Sequence, residues 1–424
     1  MQRTPGATER PERIPGGRDG RRMLVIALVD RVGSGLWASV SVLYFTYVSG
    51  LSLAEVGTLA ALSGAIGIAG APLGGRLADR LPLTRVLIAL QLLRALASFA
   101  LLTTDDYALL LAVSAVGALG DRAANVLTKL YATRIAGPDR VRYQALSRTL
   151  ANAGWALGGL AAAAALAVGT TTAYRWLLAG DALSFVAAAL LTLRCGEPPS
   201  PSRIVTGSRT GAKPQKPANP WRDRTYLAYV ATDTVLFLDD AVFKIGLPLA
   251  IAHSTDVPHG LAPLLLVLNN VLVVALQVPL ARFGTSSEAA RRLLVPLSAA
   301  FALGGTTMAL SAAGGTLTAV LLLTAAATAF TVAEMLHATI SWELSVALAP
   351  DSAQGTYLGV HGLAQSAQRS IGPLAVTAAI ATGPLGWTAF GVAIALTCGI
   401  QHRIVRDRLP RPSLSVAPVT VSEH

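Results

Sequence analysis

The residues of this chain that can do chemistry are charges standing where charges are costly. Asp30 and Arg31 lie inside one long apolar run, and Asp121, Arg122 and Lys129 inside another. A third run carries Asp233, Asp239, Asp240 and Lys244, and a fourth Glu334, His337 and Glu343. Within a membrane-length apolar run such a side chain costs roughly 2.5–3.5 kcal/mol on insertion scales, so each marks an ion or substrate path. Carboxylates can take up protons, and imidazole titrates near neutral pH. Spacing sorts them further. Asp30 and Arg31 point about 100° apart on a helix, so they face different partners. Asp121, Asn125 and Lys129 recur every fourth residue and share a face. Asp240 and Lys244, acid first, form an i,i+4 pair and read as structural. Asp239 has no local partner, which makes it a candidate for proton or substrate binding. Glu334 and His337 stand three apart on one face, where a carboxylate beside an imidazole can hold or pass a proton. A single Glu-x-x-His pair gives only two ligands, so no metal site is expected.

The runs holding these charges define the architecture. Of 424 residues 53% are hydrophobic and 13% charged, against about 25% charged in an ordinary soluble domain. A membrane protein follows. Twelve runs approach or exceed the roughly 20 apolar residues a helix needs to cross: 23–48, 54–74, 84–103, 107–134, 145–168, 173–194, 225–252, 259–281, 291–312, 315–348, 354–380 and 386–402. The Pro-, Ser- and Arg/Lys-rich segment 195–224 reads as a linker between bundles 23–194 and 225–402, with tails 1–22 and 403–424. The polar tail 1–22 with its six arginines leads into a retained first span rather than a cleaved signal.

Basic residues orient the spans. Of 34 Lys and Arg, 27 fall on alternate connections and the tails, six lie within spans, and one, Arg175, falls on the opposite set of loops. That asymmetry puts both termini and the linker in the cytoplasm. The net charge of +11 does not imply nucleic acid, because the basic residues form no stripe with stacking aromatics. Cys195 and Cys398 have no metal or redox spacing. Arg outnumbers Lys 30 to 4 and Ala is abundant, a usage associated with GC-rich bacterial genomes.

Two loops repeat. Pro72-Leu73 closes the second run and Pro279-Leu280 the eighth, with Arg85 and Arg292 each 13 residues past the proline. Ser286 stands where Asp79 aligns. The first loop, Gly74 to Arg85, resembles the loop 2–3 signature of the major facilitator superfamily: Gly75, Asp79, Arg80 and Arg85 match, while Pro82 replaces the second glycine. In that family the loop latches the cytoplasmic helix ends in one state. Gly154, Gly158 and Gly159 are similar to the glycine-rich motif of the family's antiporters, with Trp155 in place of its proline. Gly372-Pro373 stands at the roughly equivalent place in the second half.

The resemblance implies an all-α membrane protein of twelve helices in two pseudo-symmetric six-helix bundles, and alternating access around a midplane site. Asp30 resembles the acidic first-span position of drug antiporters, and Arg122 the fourth-span arginine tied to proton transfer. Arg122 is the expected partner of Asp30. With Asp239, Glu334 and His337 they form the expected proton-coupling set. Trp37, Asn125, Asp239, Asn269, Gln277, Trp342 and Gln365 are the expected substrate cavity, and its acids lean toward cationic or neutral cargo. The function expected is proton-coupled export of small amphiphilic compounds, drugs or secondary metabolites. Uptake of a sugar, amino acid or other metabolite by symport is the alternative. The expected partners are a small-molecule substrate, protons and the lipid bilayer of a bacterial inner membrane. The protein is expected to be a monomer, to lack a cofactor and not to be an enzyme, and no Gly-Lys-Ser/Thr phosphate loop is present.

Overall fold

Polar punctuation between apolar runs sets the helices. The computed structural model describes residues 14–167, 170–199, 218–252, 257–258 and 260–408. Most of the expected linker and the ends of both tails fall outside these. Twelve helical segments follow in order. They are α1 (Gly17–Tyr47), α2 (Leu53–Gly67, continuing as Gly70–Arg80), α3 (Leu83–Ala100), α4 (Tyr107–Ala136), α5 (Arg140–Leu166) and α6 (Thr171–Thr192). Then come α7 (Arg224–Leu236, Asp239–Ala241, a π turn Val242–Gly246 and Leu247–Ala252), α8 (Leu261–Ala281) and α9 (Ser287–Arg292, continuing as Leu294–Leu310). The chain ends with α10 (Thr316–Ala347), α11 (Gln354–Ala381) and α12 (Gly383–Arg406).

Local signals start several of them. Ser52 and Glu55 form a capping box at α2, Asp106 caps α4, and Thr170 caps α6, each satisfying helix N–H groups that lack an internal acceptor. Glu197 lies just past α6 and accepts from the Leu83 and Thr84 N–H groups at 2.6 and 2.9 Å, so a residue of the expected linker caps α3.

Among the described residues, nine helices are long and apolar enough to cross a membrane, and Tyr107–Ala165, counted as one, runs through both α4 and α5. α7 and α11 fall short of that measure. α7 is interrupted by its π turn and carries three aspartates and a lysine. α11 carries His361, Gln365, Gln368 and Arg369. The polar residues that set them apart include Asp240, Lys244, Gln368 and Arg369, which line the centre of the molecule.

The core of α7–α12 is one cluster, from Tyr226 to Val405. The largest core of α1–α6 is separate, except that Trp342, Val346 and Leu358 join it from the other half. Within the first half α1 and α5 cross almost in contact. A Cβ on Gly158 would sit 2.3 Å from the Val32 carbonyl oxygen, and one on Gly154 2.9 Å from the Arg31 Cβ. Only glycine permits that approach. Gly159 is looser, 3.7 Å from Ser39 Oγ. α5 runs unbroken past Trp155. α1 begins at Gly17, so Asp30 lies about 20 Å along its axis, deeper than a start at 23 implies.

Candidate functional site

A cavity of about 660 Å³ lies between the halves, lined by α1–α6 on one side and by α7 and α11 on the other. Its walls include Trp37, Phe45, Leu59, Leu101, Val113 and Trp155. On α1 to α4 the lining residues come from the middle of each helix and from the end away from the α2–α3 loop. The cavity therefore reaches toward the face opposite that loop.

Its floor is charged. Arg94 of α3 is 5% exposed and gathers the floor around itself. It donates to Asp30 at 2.6 Å, to Gln91 at 3.0 Å and to Asp121 at 3.2 Å, with its guanidinium 3.9 Å from the centre of the Phe185 ring. Arg31 turns the other way and donates to Asn125 at 2.6 Å, with Asp30 at 3.9 Å. Buried Asp181 accepts from Ser98 at 2.9 Å, and its second oxygen has no partner among the described residues. Across the cavity Lys244 meets Asp240 at 2.8 Å. Arg369 of α11 lines the cavity.

The face carrying the α2–α3 loop is closed. Asp79 accepts from the N–H groups of Gly355 and Thr356 at 2.9 and 2.7 Å, and from the Thr356 hydroxyl at 2.7 Å. It thus caps α11, a helix of the other half whose own cap residue, Ala353, offers no side-chain acceptor. Gly75 lets the backbones meet: a Cβ there would sit 2.1 Å from the Gly355 carbonyl oxygen. Arg80 and Arg85 are exposed outside this contact. Beside it, Arg140 of α5 donates twice to Glu343 of α10, at 2.7 and 2.5 Å, and Arg148 pairs with Glu334. Lys129 donates to Ser345 at 2.7 Å and stands 4.9 Å from the Trp342 ring.

Two halves around a central cavity closed at one face is a transporter's geometry. The Major Facilitator Superfamily sequence profile matches residues 23–373. The chain belongs to the major facilitator superfamily. No curated protein matches it significantly, but solved structures share its fold. A bacterial homologue of the iron transporter ferroportin in an outward-facing state is 13% identical, with 92% of this chain and 99% of that one covered and a TM-score of 0.67. The proton:xylose symporter XylE is 12% identical, with 92% and 96% covered and a TM-score of 0.67. The human organic anion transporter MFSD10 (TETRAN) is 16% identical, with 92% and 99% covered and a TM-score of 0.62.

This superfamily member departs from several residue-level expectations. Arg94, not Arg122, holds Asp30. Its span offers Arg94 the amide of Gln91 but no carboxylate, and a buried guanidinium needs carboxylates. Glu334 and His337 do not act as a pair. Glu334 goes to Arg148 and to Asn269 at 2.8 Å, while His337 turns to α7. There Asp233, fully buried, accepts from Ser341 at 2.7 Å and Gln401 at 3.2 Å. It also meets His361 Nε2 at 2.8 Å and His337 Nε2 at 3.2 Å. This cluster, with Tyr229 stacked on His361, is invisible to spacing rules because its partners come together from four helices, α7, α10, α11 and α12.

Asp239 lies 3.8 Å from His337 and is buried off the cavity; its neighbour Asp240 lines it instead. Of the expected cavity set only Trp37 is in the lining. Asn125 is spent on Arg31, and Asn269 on Glu334 and Thr331. Gln277 is buried near Met335 and Thr339, Trp342 is in the closed face, and Gln365 is exposed outside the lining. The interior is not acid-rich at the cavity: Asp121 has Arg94, Arg31, Arg122 and Arg369 all within electrostatic reach.

Proposed function

We propose that this protein is a proton-coupled secondary transporter of a bacterial plasma membrane, exporting small amphiphilic organic compounds by alternating access. The observation that carries this reading is the cavity between the two halves, sealed at one face by caps, ion pairs and the packing of Trp342, Val346 and Leu358 against the first half, contacts that can part without unfolding either half. The basic residues make the sealed face cytoplasmic, with both termini inside. The cavity then opens outward, the release state of an exporter. Its aromatic and aliphatic walls suit amphiphilic cargo. The glycine crossing of α1 on α5, which leaves Gly35 and Gly158 with almost no room between them, supports the antiporter-like reading.

Protons act at the floor in this scheme. Arg94 ties Asp30 and Asp121 together, so a proton on Asp30 frees one arm of that guanidinium. Asp181, with an oxygen lacking a partner, is the floor carboxylate readiest to take a proton without first breaking an ion pair. The test is transport by the full-length protein in liposomes preloaded with an amphiphilic dye. An acidic medium is expected to drive dye out while the lumen acidifies. Asp30→Asn and Asp181→Asn are expected to abolish the drive and keep passive exchange. Dye accumulating together with protons would replace export by uptake symport, and movement indifferent to the gradient would remove proton coupling.

A further inference from the structure

The cavity floor has cations left over. Beside and below the cavity, α1 supplies Arg31, α3 Arg94, α4 Arg122 and α11 Arg369, while Asp30, Asp121 and Asp181 are the carboxylates among them. Lys244 and Asp240 cancel each other at 2.8 Å. Arg94 uses two of the three carboxylates directly. Arg31 is spent on the neutral amide of Asn125, with Asp30 only at 3.9 Å. Arg369 is exposed to the cavity and has no hydrogen-bond or ion-pair partner among the described residues. Arg122 likewise lacks one; it lies outside the lining, within electrostatic reach of Arg369, Asp121 and Arg31.

Arg31 and Arg369 thus reach the same cavity from opposite halves, with more guanidinium charge around it than the neighbouring carboxylates neutralise, and an anion lying between them is favoured. A planar guanidinium fork matches a carboxylate with two parallel hydrogen bonds. Above the floor, Trp37 and Trp155 offer flat apolar surfaces, and Gln368 lines the wall beside Arg369.

We infer that Arg31 and Arg369 form a binding site for the carboxylate of an amphiphilic organic monoanion, whose apolar body lies against Trp37 and Trp155. This rests on the transport reading for its location, the cavity, and it replaces the expected cationic or neutral cargo with an anionic one. One excess positive charge calls for one negative charge. Because Arg31 belongs to one half and Arg369 to the other, the bound carboxylate bridges the halves. An interior-negative membrane potential drives such an anion outward.

The experiment is calorimetric titration of the full-length protein in lipid nanodiscs with 2-naphthoate, its neutral amide and the matching naphthylmethylammonium. Naphthoate is expected to bind at least tenfold more tightly than either. Arg369→Gln, at a side chain with no hydrogen-bond or ion-pair partner among the described residues to lose, is expected to weaken naphthoate about tenfold and erase the preference for acid over amide. Arg369→Lys is expected to retain that preference. Equal affinities, a preference for the ammonium, no naphthoate binding, or an unchanged preference in Arg369→Gln would each overturn the site. Binding is read without a gradient. A protein that binds naphthoate but moves nothing therefore refutes the transport proposal and leaves this one standing, and one that moves only amines does the reverse.

Discussion

The loops after α2 and after α8 occupy equivalent places in the two halves, and they spend their capping residues differently. Asp79 reaches out of its own half and caps α11. Ser286, at the aligned position, caps its own helix by accepting from Ala289 N–H at 3.2 Å. The targets differ to match. α11 starts at Ala353 with nothing of its own to offer. α5, its counterpart, follows Asp139 and sends Arg140 across to Glu343. The halves are thus held at one face by two devices of opposite polarity, a carboxylate on a bare helix start and a cation from a helix start onto a buried acid. A repeated scaffold can carry an unrepeated closure, because closure depends on side chains at helix ends rather than on the packing that the repeat preserves.

The contrast can be broken most completely at Gly75. Gly75→Val puts a branched side chain where even a Cβ would meet the Gly355 carbonyl oxygen at 2.1 Å. The closed face is expected not to form, with amide exchange at 354–358 rising more than about a hundredfold and transport lost. Unchanged protection there would show that the contact does not govern closure. Next comes Glu343→Gln, which leaves Arg140 against a neutral partner in a buried setting. Breaking such a pair costs about 3 kcal/mol, so engineered cysteines lining the cavity from the closed side should label markedly faster. A third, smaller step is Asp79→Ala, which removes the cap from α11 for about 1–2 kcal/mol; Asp79→Asn, which keeps an acceptor, is expected to insert normally and turn over more slowly. The smallest is Ser286→Ala. It should loosen the first turn of α9 by about 1 kcal/mol and leave exchange at 354–358 unchanged. An equal effect of Asp79→Ala and Ser286→Ala on that segment would erase the asymmetry.

What could be read in advance follows the range of the interactions. Apolar runs, the distribution of arginines and the Gly75–Asp79 spacing are local signals. The helices, their sorting into two bundles and the family all follow from them. That Asp79 matters was legible; that its partner is the start of α11 was not, since nothing in the sequence relates positions 79 and 355. The same limit hid the Asp233 cluster, whose members come from α7, α10, α11 and α12. Glu334 and His337 show a subtler failure. An i,i+3 pair shares a helix face only loosely, and α10 has neighbours on both sides, so α5 and α8 claim one residue and α7 the other. Arg94 has no carboxylate within its own span, so spacing along the chain does not reveal that its partners are Asp30 on α1 and Asp121 on α4.

The π turn at Val242–Gly246 gives α7 a reserve of winding. A π turn holds one residue more than an α turn, and each residue is worth about 100° of rotation. Drawing that residue back into regular α-helix would swivel the two ends of α7 against each other without lengthening a loop or parting the span. Asp239, now turned to His337, and Asp240, now on the cavity, sit at the hinge of that swivel. Both aspartates stand just before the π turn, so rewinding it would turn them together, the histidine-facing and the cavity-facing carboxylate alike, against the far end of α7.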